Sequence, residues 1–160
     1  MDDISNRLRR LEDRQAIVDV VVRYCVAVDS RDWDLYAECF AATVRTDSGE
    51  LSGTEFVEMV KGALPAFRST QHLSTNHLVI FDESEPDVAI CASDMFAQHF
   101  LEDSPGGSYY LLRARYREEL LRTPEGWRIS AISTTNRWED GNLNAVTEAF
   151  ERIRSATTAV

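Results

Sequence analysis

The stretch Thr70-Gln71-His72-Leu73-Ser74-Thr75-Asn76-His77-Leu78-Val79-Ile80-Phe81 decides how this chain is read. Its second half is apolar and rich in β-branched residues, as a buried strand is. Its first half carries two histidines, an asparagine and several hydroxyls. Side chains alternate along a strand. The pattern therefore predicts that His72, Ser74, Asn76, Leu78 and Ile80 share one face and that His77 points to the other. An imidazole two pleats from a carboxamide, on a face that Leu78 and Ile80 carry into a core, describes a polar site inside an apolar pocket. Taken alone, His72 is more readily a hydrogen-bonded structural histidine. The rest of the chain has to decide.

Downstream, three more strand-like runs follow at about 88–100, 109–122 and 127–137. Their connectors are short and turn-rich, Pro105-Gly106-Gly107 and Pro124-Glu125-Gly126 among them, which suits antiparallel hairpins. Some runs exceed an ordinary strand, so bulges are expected. Tyr110, Leu112, Ala114 and Tyr116 alternate onto one face and suit a pocket wall. Arg113, Arg115 and Arg117 take the other, expected to face solvent or another subunit.

Upstream, residues 5–30 read as one long helix, with Leu8, Leu11, Ile17, Val21, Tyr24, Cys25 and Val28 at three- and four-residue steps. Asp29 closes that stripe. A carboxylate there opposes the helix dipole, so it needs solvent or a partner, and His72 is a candidate. Asp32 reads as the N-cap of a second helix over 33–40, with Trp33, Tyr36, Cys39 and Phe40 inside. Asp47-Ser48-Gly49 signals a small hairpin. A third helix opens at Gly53, with Thr54 as cap and Phe56, Val60, Ala63 and Leu64 inward, and ends at Pro65. Residues 142–155 have helical spacing again in Leu143, Val146, Phe150 and Ile153. Helices first and long antiparallel strands after make an α+β fold. A curved sheet closed by helices into a cone would hold a small molecule. The 160 residues are expected to form one domain, with the core at about 8–140.

A formal net charge of −10 argues against nucleic acid or an anionic membrane as partner. Cys25, Cys39 and Cys91 are an odd count without metal-knuckle spacing and sit among apolar residues, so buried reduced thiols in a cytoplasmic protein are expected. The acidic start has no signal-peptide pattern, and no run approaches the roughly 20 apolar residues of a membrane span. His72, His77 and His99 lack the spacing of a metal motif, and no phosphate-binding glycine pattern or nucleophile motif is present, so no cofactor is expected.

The order of elements resembles the nuclear transport factor 2-like fold, and within it the SnoaL-like group that includes scytalone dehydratase and hexachlorocyclohexane dehydrochlorinase. The residues that carry the likeness are Tyr24-Cys25-Val26-Ala27-Val28-Asp29, Asp32-Trp33-Asp34-Leu35-Tyr36-Ala37-Glu38-Cys39-Phe40, Gly53, Gln71-His72-Leu73-Ser74-Thr75-Asn76 and Gly126-Trp127-Arg128-Ile129, over roughly 8–140. The resemblance implies that an Asp ending the first helix pairs with a His on the first long strand, here Asp29 and His72, and that the His takes a proton from carbon. Such a pair is sensible chemistry, because a histidine titrates near neutral pH and a carboxylate behind it fixes its tautomer. It also implies a homo-oligomer, dimer or trimer, built on the sheet's outer face. Tyr24 matches a pocket tyrosine, and His99 matches a second histidine if it faces inward. Asn76, Trp33, Tyr110 and Tyr116 complete the expected contacts to a small hydrophobic or aromatic molecule.

The expectation is a cofactor-independent lyase or isomerase acting on a small cyclic substrate. The alternatives are a non-catalytic binding or assembly module of the same fold and the small subunit of a ring-hydroxylating dioxygenase.

Overall fold

In the computed structural model, residues 3–62 and 64–158 are described, with side chains over 4–156. The elements are α1 (Asp3–Ser30), α2 (Trp33–Ala37), β1 (Phe40–Thr46), β2 (Gly49–Ser52), α3 (Gly53–Lys61), a 3₁₀ turn (Leu64–Ala66), β3 (Ser69–Phe81), β4 (Val88–Phe100), β5 (Tyr109–Thr123), β6 (Gly126–Gly141) and α4 (Ala145–Thr158). The strands form one sheet in the order β2-β1-β6-β5-β4-β3. Every pairing is antiparallel except β1 with β6, which is parallel, so the sheet is mixed rather than wholly antiparallel.

The helix α1 lies across the sheet through Ile17, Val20, Val21, Ala27 and Val28, all buried. Leu8 and Leu11 were expected on that stripe and are exposed instead. The second helix stops at Ala37, and Phe40 already belongs to β1. The cap of α3 is Ser52 rather than Thr54: Ser52 Oγ accepts from Glu55 N while the Glu55 carboxylate accepts from Ser52 N. Phe56 and Val57 are its buried residues, Val60 is half-buried, and Ala63 lies outside the described residues. Leu143, Val146 and Phe150 stay exposed on and before α4, which packs through Ala145 and Ala149.

The largest departure from the sequence pattern is in β3. Thr75 pairs with Asp94 and Leu78 with Ala92, so Asn76 and His77 together oppose Ser93. Asn76 has φ +54, in the left-handed region. This is a β-bulge, and one extra residue reverses the alternation beyond it. His72 and Ser74 face the helices before the bulge. After it His77, Val79 and Phe81 do so, while Asn76, Leu78 and Ile80 turn to the outer face. Leu78 and Ile80 are thus about half exposed, and Asn76 donates from Nδ2 to Asp94 Oδ2 at 2.9 Å.

A similar irregularity in β6, between the pairs Arg113–Trp138 and Ala114–Asn136, sends Trp138 to the outer face at 63 % exposure, away from core and pocket. Trp127 is buried and Trp33 half-buried. Arg113, Arg115 and Arg117 take the outer face and Tyr110, Leu112, Ala114 and Tyr116 the inner one.

Asparagine tolerates the left-handed conformation and a β-branched residue does not. Asn76→Val is expected to destabilise by about 1–2 kcal/mol and Asn76→Gly by less, as urea unfolding would measure.

Candidate active site

The site begins at the end of α1. Arg31 has φ +60, and Asp32 N donates to Ala27 O at 3.0 Å, which is a helix-ending turn usually made with glycine. Arg31 also turns its guanidinium back on the helix. Nη1 donates to Val28 O at 2.7 Å and to Thr70 Oγ1 at 2.8 Å, and Nη2 to Leu64 O at 3.2 Å. A cation thus satisfies carbonyls at the negative end of the helix. That offsets part of the cost of a carboxylate at the same place.

The carboxylate is Asp29, and β3 supplies its partners. Thr70 Oγ1 donates to Asp29 Oδ1 at 2.8 Å, and His72 N donates to Asp29 Oδ2 at 2.7 Å. His72 Nδ1 lies 2.7 Å from Asp29 Oδ1. Burial pushes the Asp29 carboxyl up, but the hydrogen bonds from the His72 ring and backbone outweigh it and hold the group below the usual carboxylate range. An ionised carboxylate only accepts, so Nδ1 carries the ring proton and Nε2 keeps its lone pair in the neutral imidazole. Only 9 % of the His72 side chain and 22 % of the Asp29 side chain is exposed.

His99 faces inward with them. It sits on β4 opposite Thr70, its ring edge-on to His72 with centroids 5.2 Å apart. It is also stacked near Phe67 and Tyr110. Burial is the largest influence on it, followed by the neighbouring His72, and together they pull its pKa down to about 4. Its Nδ1 has no hydrogen-bond partner among the described residues. Tyr110 extends the row by donating from Oη to Glu139 Oε1.

Tyr24 and Tyr116 lie further along the cone. They line a cavity of about 450 Å³ with Phe56, Met59, Ile132 and Thr134, its rim formed by the β1–β2 hairpin. Tyr24 also joins the aromatic group of Tyr36, Phe40, Phe56 and Trp33. Between this mouth cavity and His72 the interior is filled by Cys25, Met95, Ala97 and Ala114, all buried. The larger groove, about 740 Å³ beside Arg10, Asp13 and Arg122, is remote from the pair, and its Arg122 is already bound to Asp13 and Asp87.

Of the residues singled out in the sequence, His72, Asp29 and His99 therefore meet, and Tyr110 adjoins them. Tyr24 and Tyr116 meet each other elsewhere in the cone, and Trp33 packs on Tyr36. Asn76 stands on the outer face and is apart from them all. Sequence reasoning missed Thr70 and Arg31. Thr70 had a signal, since it precedes His72 by two residues and so shares its face before the bulge; Arg31 had none. Among the described residues no group of three or more His, Cys, Asp or Glu is placed to hold a metal ion.

Several solved structures share this architecture. The Kfla4162 protein of Kribbella flavida is 24 % identical with a TM-score of 0.74, over 85 % of this chain and 98 % of that one. Hexachlorocyclohexane dehydrochlorinase LinA-type3 from Novosphingobium barchaimii LL02 is 22 % identical with a TM-score of 0.71, over 84 % and 93 %. A candidate scytalone dehydratase from Novosphingobium aromaticivorans DSM 12444 is 16 % identical with a TM-score of 0.72, over 82 % and 89 %. At these identities the likeness is one of fold. No curated protein sequence matches the chain. The model of the SnoaL-like domain matches residues 9–133, which take in most of α1, the whole of β3, β4 and β5 and the first half of β6, and the chain is therefore a member of the SnoaL-like family.

Proposed function

We propose that the protein is a cofactor-independent lyase or isomerase in which His72 takes a proton from a carbon acid. The observation that supports this most directly is the 2.7 Å contact between His72 Nδ1 and Asp29 Oδ1. With Nδ1 committed to the carboxylate, Nε2 is the basic atom. As it takes the proton the ring becomes an imidazolium, and the ionised Asp29 stabilises that charge. Thr70 and the His72 backbone N–H hold the carboxylate so that it cannot rotate away. Tyr24 and Tyr116 supply the aromatic walls of the entry, which suits a small cyclic substrate bearing an oxygen or another activating group. Dehydration, dehydrohalogenation, cyclisation and double-bond isomerisation all open with this proton transfer. Three buried, free thiols suit a reducing compartment such as the cytoplasm.

One observation favours a second reading, a non-catalytic binding module. The mouth cavity is lined by Tyr24 and Tyr116 and not by His72, which packed side chains separate from it. Mutation distinguishes the two. His72→Gln keeps size and polarity but removes the base. On a panel of small cyclic ketones, deuterium exchange from solvent at the carbon beside the carbonyl should fall on the order of 10²-fold or more. Asp29→Asn should lose activity too, and the double variant little beyond the worse single one, because the pair acts as a unit. Exchange that persists in folded His72→Gln ends the general-base reading.

His99 should stay neutral at neutral pH. Its pKa is drawn from 6.5 down to about 4, so its contribution to stability is complete above about 6.5 and is lost as the pH falls through about 4. Imidazole nitrogen NMR should give His99 a midpoint near 4; a midpoint near 6.5 would contradict its buried position.

Among the described residues no helix covers the sheet's outer face, which exposes Leu73, Leu78, Ile80 and Trp138 among the three arginines. We propose that a second copy covers it. Sedimentation should show a dimer or trimer for the native chain and a monomer for Trp138→Glu with Leu78→Glu.

A further inference from the structure

Glu118 is a buried acid that the proposed chemistry does not use. It lies on the inner face of β5 at 1 % exposure. Its register partners are Cys91 on β4 and Ile132 on β6. Tyr24 and Cys25 face it from α1, Cys91 from β4 and Tyr116 from its own strand. The cation that acts on it, Arg115, projects from the opposite face of β5 and is bound to Asp94 there at 2.9 Å. Oε2 of Glu118 has no hydrogen-bond partner among the described residues. The same holds for Oγ of Ser93, which is fully buried and pairs with Tyr116 in the next register step on the same face. On the inner side the cation Arg14 of α1 acts on Cys91 but gives its guanidinium to Val79 O at 3.2 Å, so an ionised carboxylate here would lack a full set of donors and a paired counter-charge among the described residues. Such sites hold the neutral acid.

Glu118 also stands directly behind the mouth cavity. Tyr24 and Tyr116, which wall that cavity, are two of the groups that face it. We infer that Glu118 is a positioning residue for the mouth cavity: as a neutral carboxylic acid it lets Tyr24 and Tyr116 close against each other, and its ionisation unseats them. The cavity wall is then built in the protonated chain and loosened above neutral pH. This does not depend on His72 being a base.

The groups around Glu118 leave it as the one that changes charge. Burial pushes the Cys25 and Cys91 thiols and the Tyr116 phenol up to about 12, and Tyr24 well above its ordinary value, so these four stay neutral. Burial also raises Glu118, from 4.5 to about 7. A group raised on folding contributes stability that is complete below its unfolded pKa and is lost as the pH rises through its folded one, here from about 4.5 to about 7. His99 acts in the opposite sense over part of that range, so the wild-type curve alone is not diagnostic and the comparison with Glu118→Gln is.

Urea unfolding of both proteins from pH 4 to pH 9 should give a ratio of folding constants, variant over wild type, that grows about tenfold per pH unit between about 4.5 and about 7 and then levels. A ratio independent of pH overturns the neutral acid. Should the variant not fold, carboxyl carbon NMR of the wild type reads the same quantity: a Glu118 midpoint near 7 supports the inference and one near 4.5 overturns it. Ring carbon NMR tests the positioning role. The Tyr24 and Tyr116 signals should move with the Glu118 midpoint in wild type, and tyrosine signals that ignore it refute that role.

Discussion

The structure hangs on the satisfaction of one carboxylate. Asp29 ends α1, where the helix dipole is against it, and it is largely withdrawn from water. It is tolerable there because β3 offers it two side-chain donors and one backbone donor, from Thr70 and His72. A partly buried charge left without those donors would cost several kcal/mol. The requirement therefore fixes more than a side chain. It sets the register of α1 against the edge of the sheet and the rotamer and tautomer of His72. It also gives Arg31 its place, since that guanidinium bridges the end of the helix to the same Thr70 hydroxyl. A strained, left-handed arginine at the end of a helix has a physical reason once it is seen to bind the carbonyls, the 3₁₀ turn and the strand together.

How far the sequence could be read follows from what each pattern encodes. Strand limits and the inward row Tyr110 to Tyr116 were legible because they rest on periodicity; for Asp29 the residues alone left solvent or a partner open, and it was the family resemblance that implied His72. The second half of β3 was not legible. Leu78-Val79-Ile80-Phe81 is apolar throughout, so it carries no alternation that could reveal a change of face. The bulge comes from the backbone of Asn76, and asparagine is only somewhat enriched in the conformation it adopts. One unrecognised residue therefore moved His77 inward and took Asn76, Leu78 and Ile80 out. Trp138 likewise stands on the outer face, beyond an irregularity in β6. Errors of this kind come in blocks, because every residue after a bulge inherits the shift.

The interior is graded along the sheet. At one end β3 and β4 bring imidazoles, hydroxyls and a charge together. In the middle Met95, Cys25, Ala97 and Ala114 fill the cone with apolar atoms. Alanines at two diagonal positions, Ala97 opposite Leu112 and Ala114 opposite Met95, keep the strands from filling that space with rigid bulk, and Met95 itself is unbranched and adaptable.

Two acidic side chains share this interior and are treated in opposite ways. Asp29 sits where backbone, hydroxyl and imidazole donors converge, and it stays ionised despite its burial. Glu118 sits among thiols, phenols and aliphatic side chains, and burial prevails. The same functional group is thus held toward the charged form at one end of the interior and displaced toward the neutral acid at the other. What separates the two carboxyls is their donors: Asp29 has three, supplied by one strand, and Glu118 has none on its free oxygen.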